Sequence, residues 1–134
     1  MRAALILVNH ELKLVRARIR REQPVHAAHL APVTLAVFMI EGKSFGNRAP
    51  KALEFFAKQP EATRLLLDRL TEMTIDYLKY QIDSGAFAVQ LFESAANLLT
   101  PALYRDLALP THRRIFDALR GRAPTIMFAR VWEG

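Results

Sequence analysis

Glu93 and Ser94 stand together at the end of the apolar run Ala86-Phe87-Ala88-Val89-Gln90-Leu91-Phe92, the position in this chain best placed for chemistry. A carboxylate where a strand runs out can act as general acid, general base or hydrogen-bond acceptor. The plainer alternative has Glu93 capping or salt-bridging locally and Ser94 opening a turn, and position alone weighs the two readings evenly. A serine triad would draw on Ser44, Ser84 or Ser94, but Glu93-Ser94-Ala95 lacks the flanking glycines of a nucleophile elbow. Gly42 and Gly46 sit close together with no Walker or dinucleotide pattern around them. His26 and His29 are three residues apart, a spacing that sends them to opposite faces of a strand. His10 and His112 fall on predicted helices without a partner at ligand spacing. No metal site is therefore expected, and the histidines read as satisfied or solvent-facing. Cysteine is absent, which excludes disulfides and thiolate chemistry.

Alternating strands and helices must position these groups. Ala3 to about Arg21 is expected to be a helix, since Leu5, Leu7, Val8, Leu12, Val15 and Ile19 recur mostly at three- and four-residue intervals. Gln23-Pro24 stops it, and Val25–Leu30 predicts a short buried strand. Val33–Ile40 is apolar apart from Thr34, and periodicity leaves helix and strand open there. Residues 42–47 read as a loop, and Pro50 starts a short helix ending near Lys58–Gln59. Pro60 opens the clearest helix, with an apolar stripe of Leu65, Leu66, Leu70, Met73, Tyr77, Leu78 and Ile82. Glu61 suits its positive end and Gly85 supplies the C-cap.

Ala86–Phe92 predicts a strand buried on both faces, as in a parallel sheet. Thr100-Pro101 predicts an N-cap and first helical position, for a helix interrupted at Pro110 and ended by Gly121. Pro124–Phe128 predicts a third strand. The alternation implies βαβ units and a parallel sheet, an α/β fold. Ligands of such sheets lie beyond the carboxyl ends of the strands, which singles out residues 30–38, 93–97 and 129–132.

With 134 residues, 51% of them hydrophobic and 24% charged, the composition is globular. The longest apolar runs, Ala3–Val8 and Leu35–Ile40, fall short of the roughly 20 residues that cross a bilayer, and no signal-peptide pattern is visible. A cytoplasmic protein that makes no use of membranes is expected. A complete (β/α)8 barrel takes about 250 residues and is longer than this chain. The net charge of +6 concentrates in Lys13–Arg21 and in Arg113, Arg114, Arg120 and Arg122. No aromatic residues interleave with the first cluster as stacking platforms, so a solvated helix face is favoured over a nucleic-acid arm.

Several separated motifs add a resemblance. Ala31-Pro32-Val33-Thr34-Leu35 runs into Met39-Ile40-Glu41-Gly42, followed by Val89-Gln90-Leu91-Phe92-Glu93-Ser94 and then Leu109-Pro110. In order and spacing these resemble the middle of the uroporphyrinogen decarboxylase family, from about Pro24 to Ala129. The resemblance implies a partial (β/α)8 barrel of about three parallel strands with intervening helices. It divides the chain into an N-terminal helix (1–23) and barrel βα units (24–134). By family the protein is a cofactor-free carboxy-lyase without metal, usually a homodimer, converting uroporphyrinogen III to coproporphyrinogen III in porphyrin and haem biosynthesis. The tetrapyrrole substrate is a polycarboxylate, compatible with a basic chain.

Carried over residue by residue, Ser94 falls on a substrate-binding serine, and Phe38 falls where the family has a substrate-contacting tyrosine. The family's Phe-Ala-Gly-Ala-Pro reads here as Ala28-His29-Leu30-Ala31-Pro32, which removes an aromatic wall and a close-approach glycine. No Asp or Arg matches the family's pyrrole-gathering and carboxylate-holding roles, and no His matches its C-terminal one. Asp83 and Asp106 read as surface charges, and the catalytic residues are unassigned. The expectation is an internal piece of a decarboxylase-like enzyme, inactive in isolation. An oligomerising, non-catalytic protein derived from the barrel ranks second, and a basic nucleic-acid binder third.

Overall fold

The computed structural model describes residues 2–7 and 26–131. Its four strands, β1 (Arg2–Leu7), β2 (His26–Leu30), β3 (Ala88–Glu93) and β4 (Thr125–Val131), form one sheet in the order β1-β4-β3-β2. β2, β3 and β4 are parallel, with His29 beside Leu91 and Leu91 beside Met127. The expected α/β fold with three parallel strands is therefore present. Helices α1 (Pro32–Glu41), α2 (Pro50–Lys58) and α3 (Pro60–Asp83) connect β2 to β3. A helical turn (Pro101–Leu103), a π-turn (Tyr104–Ala108) and α4 (Leu109–Leu119) connect β3 to β4.

Period-two alternation divides the sheet into two faces. Ala27, Val89, Leu91 and Met127 lie on one face and pack against Leu78 of α3 and Ile115 and Leu119 of α4, forming one core. A second core joins Val33, Ala36 and Val37 of α1 to Ala52 and Phe56 of α2 and Leu67 and Leu70 of α3. Gln90, Phe92, Ile126 and Phe128 lie on the other face and are only half-buried, with the Phe92 and Phe128 rings 5.6 Å apart. Among the described residues, the strand expected to be buried on both faces is thus fully covered on one and partly covered on the other, because these four strands do not close on themselves.

Three further expectations change. Arg2–Leu7 form a strand, not the start of a helix, and pair antiparallel with β4 from Arg2–Val131 to Leu7–Ile126. A short apolar run takes whichever state its partner satisfies, and here six ladder positions are available. The remainder of the expected helix, with the Lys13–Arg21 cluster, lies outside the described residues.

On α3, Leu70 and Leu78 are buried but Leu65, Met73 and Tyr77 are exposed. The inner face of α3 instead uses Thr63, Thr71 and Thr74 alongside Leu67, Leu70 and Leu78. The Thr63 and Thr71 hydroxyls donate to the carbonyls of Gln59 (2.7 Å) and Leu67 (2.6 Å), so these small polar side chains pack as if apolar. Finally, Pro110 does not interrupt its helix. It occupies the first turn of α4, where a missing N–H costs nothing, and the irregularity is the π-turn before it.

The undecided segment 33–40 is helical. Gly42, at φ +72°, ends α1 by donating its N–H to the Phe38 carbonyl at 2.9 Å. Thr100 caps the following helical turn as expected, accepting from the Leu103 N–H at 3.2 Å. Leu91 is fully buried in the central strand, whereas Leu65 is 61% exposed. Leu91→Ala is expected to lower stability by about 2–5 kcal/mol and Leu65→Ala by less than about 0.5 kcal/mol in urea denaturation. Similar losses for the two variants would contradict this core.

Candidate functional site

α1 and α2 both begin Ala-Pro, at Ala31-Pro32 and Ala49-Pro50, and neither alanine can cap with its side chain. The N–H groups of the first turn must find acceptors elsewhere. Two buried glutamates supply them. Glu41, at the end of α1, accepts the Ala52 N–H of α2 at 2.8 Å. Glu93, at the end of β3, accepts the Thr34 N–H of α1 at 2.9 Å through Oε1. A carboxylate at a helix N-terminus also meets the positive end of the helix dipole.

Glu93 is fully buried and carries further bonds. The Thr34 hydroxyl donates to Oε1 at 2.5 Å, and His112 Nε2 lies 2.7 Å from Oε2. Thr34 Oγ1 in turn accepts the Ala95 N–H at 3.2 Å. The Tyr104 hydroxyl lies 3.3 Å from His112 Nδ1. With Nε2 directed at the carboxylate, Nδ1 faces the phenol oxygen. The groups around the Glu93 oxygens are donors, which suits an ionised carboxylate in a dry site. Burial first, and then the nearby charge of Glu93, hold the Tyr104 phenol above its ordinary value of 10.0.

Against the two readings of Glu93, an acid, base or acceptor or else a local cap or salt bridge, the structure shows a buried acceptor that caps across the fold, 59 residues from Thr34, and pairs with His112. Ser94 opens the turn after β3 and is half-buried. Phe38 lies one helical turn beyond Thr34 on α1, half-buried, with its ring 4.8 Å from that of Phe45. Glu93 thus stands between the two expected site residues, adjoining Ser94 in the chain and holding the start of the helix that carries Phe38. Ala28 and Leu30 lie beside Gln90 and Phe92 of β3, with Ala28 exposed and Leu30 half-buried.

His29 packs on Tyr77 of α3 with ring centres 5.1 Å apart, while His26 is exposed. Among the described residues no three His, Asp or Glu side chains gather at metal-binding distance. Asp83 and Asp106 are exposed, and Asp83 pairs with Arg122 at 3.5 Å. Arg114 pairs with Asp68 at 3.0 Å and Arg120 with Asp117 at 2.9 Å, so much of the second basic cluster is locally compensated. Among the described residues no helix is long and apolar enough to cross a membrane.

The family model described as uroporphyrinogen decarboxylase (URO-D) matches residues 3–131. The chain belongs to the uroporphyrinogen decarboxylase family. It is 41% identical over 119 residues to the uroporphyrinogen decarboxylase of Synechococcus sp. (strain CC9605), covering 85% of this chain and 33% of that protein. It is 46% identical over 99 residues to the uroporphyrinogen decarboxylase of Geobacillus thermodenitrificans (strain NG80-2), covering 73% of this chain and 28% of that protein. The chain thus spans about a third of the length of these uroporphyrinogen decarboxylases.

Sequence reasoning read His112 only as satisfied or solvent-facing, without its partner, and passed over Thr34 and Tyr104. His112 was within reach. Val89, Leu91 and Glu93 share a strand face by period two, so Glu93 had to be buried and needed donors. His112, Ile115 and Leu119 share a helix face by their spacing of three and four, which turns His112 inward. Thr34 depended on knowing that segment 33–40 is a helix. Tyr104 depended on the π-turn, whose Leu109 N–H bonds the Tyr104 carbonyl.

Removing the Glu93 carboxylate strands donors in a dry site. Glu93→Ala is expected to lower stability by about 3–5 kcal/mol in urea denaturation, and Glu93→Gln by less, since it keeps one acceptor. A loss under about 1 kcal/mol for Glu93→Ala would contradict this arrangement. For Tyr104, the raised folded value means that stability is full below pH 10.0. It declines as pH rises through that higher folded value, because the unfolded chain ionises first. Tyr104→Phe is expected to flatten this alkaline decline in urea melts taken at increasing pH.

Proposed function

We propose that the chain is the part of a uroporphyrinogen decarboxylase-type enzyme that presents Ser94 and Phe38 to a tetrapyrrole polycarboxylate, and that it does not turn over substrate in isolation. The family reaction converts uroporphyrinogen III to coproporphyrinogen III. The observation that carries the reading is the buried Glu93, which anchors both the turn holding Ser94 and the helix holding Phe38, inside a family match over residues 3–131. The position is also the one that parallel sheets use for ligands, beyond the carboxyl end of a strand.

Ser94 would donate a hydrogen bond to a substrate carboxylate. Phe38 keeps the ring of the family tyrosine but not its hydroxyl, which costs one charge-linked hydrogen bond. Ala28 and Leu30 widen the site on one side and close it on another. The family's pyrrole-gathering Asp and carboxylate-holding Arg have no counterpart in this sequence, so turnover requires residues beyond those present here.

A second reading, assembly of copies of this chain, is favoured by one observation. β2 is at the sheet edge with no strand on its outer side among the described residues, and exposed edges tend to be paired or covered. In this reading a homo-oligomer covers the edge, and light scattering gives a mass above that of one chain. A well-behaved monomer would sink it.

Purified chain incubated with uroporphyrinogen III is expected to form no coproporphyrinogen above the uncatalysed blank, by chromatography of the oxidised porphyrins. Sustained turnover would overturn the proposed inactivity. In fluorescence titrations with uroporphyrin, Phe38→Tyr is expected to bind about ten- to a hundredfold more tightly than the native chain. An unchanged affinity would remove Phe38 from the site.

A further inference from the structure

We propose that Thr34, Glu93 and His112 form a positioning unit that fixes the Ser94 turn relative to the first turn of α1, so that Thr34 and His112 govern ligand binding without touching the ligand. This rests on the reading of Ser94 and Phe38 as ligand contacts. Ser94 lies between two anchored neighbours. Glu93 before it accepts from the Thr34 N–H (2.9 Å) and hydroxyl (2.5 Å), and Ala95 after it donates to the same hydroxyl oxygen at 3.2 Å. One threonine side chain therefore closes a loop of hydrogen bonds around the Ser94 backbone.

His112 holds the other carboxylate oxygen at 2.7 Å and ties the unit to the outer helix α4, with Tyr104 behind it. Thr34, Glu93, Ala95 and His112 are each buried, with exposures of 0%, 0%, 0% and 3%. Ser94 is only half-buried, and its hydroxyl has no hydrogen-bond partner among the described residues. The buried members all have protein partners and the hydroxyl they frame is available, as expected of a supporting shell beneath a contact residue. The Thr34 N–H is already taken by Glu93.

The test compares the native 134-residue chain with Thr34→Val and Thr34→Ser, by amide hydrogen exchange and by fluorescence titration with uroporphyrin I, an octacarboxylate. Thr34→Val is expected to keep its far-UV circular dichroism, exchange the Ala95 amide at least about tenfold faster and bind about tenfold more weakly. Thr34→Ser, which keeps the hydroxyl, is expected to restore both. Native Ala95 protection and affinity in Thr34→Val, or a serine variant as impaired as the valine one, would overturn the proposal. Should Thr34→Val not fold, the imidazole nitrogen resonances of the native chain decide instead. The unit requires a proton on His112 Nε2, and an unprotonated Nε2 overturns it. A native chain that fails to bind uroporphyrin I counts against the functional reading alone, because the exchange and imidazole measurements still decide the positioning unit.

Discussion

A buried carboxylate must be met by donors, and this requirement organises the chain. Glu93 sits at 0% exposure in the row of side chains that faces the helices. Isolated there, its charge would be prohibitively costly. It is satisfied by two elements at once, the first turn of α1 and the outer helix α4, and so ties the strand it ends to both. The same contact solves a problem of α1, whose Ala-Pro start leaves first-turn N–H groups without a side-chain cap. Glu41 repeats the solution for α2. Two glutamates thus join strand to helix and helix to helix where short side chains would ordinarily cap locally.

The π-turn before α4 belongs to the same arrangement. One extra residue in the turn lets the Leu109 N–H reach the Tyr104 carbonyl, and Tyr104 and His112 then meet with ring centres 5.7 Å apart. Pro110 follows without breaking the helix because it sits in the first turn. The irregularity marks the place where an outer helix is adjusted to a strand end, as π-turns often do near sites.

Much of the fold was legible because its signals are local. β2, β3 and β4 follow apolar runs bounded by Pro and Gly, and α2 and α3 begin at prolines. Misreadings arose where the deciding partner is remote. Leu5 and Leu7 satisfy a helical pattern as well as a strand pattern, and only the ladder with β4 chooses between them. Met73 and Tyr77 look like core by composition, yet threonines that satisfy their own hydroxyls take the inner face of α3. His112 shows the limit for the site: its spacing from Ile115 and Leu119 turns it inward, but nothing local names Glu93 as its partner.

The sequence by itself determined the family, the α/β alternation and the strand end at Glu93-Ser94, since these rest on residue order, periodicity and turn chemistry within a few positions. Only the tertiary structure decided the antiparallel strand at Arg2–Leu7, the covered face of the sheet and the role of Glu93. Those depend on contacts between residues 19 to 61 positions apart around the carboxylate, and more than a hundred across the β1–β4 ladder. Such pairings are set by which surfaces can bury together and which donors a dry carboxylate can reach, and these are properties of the packed chain.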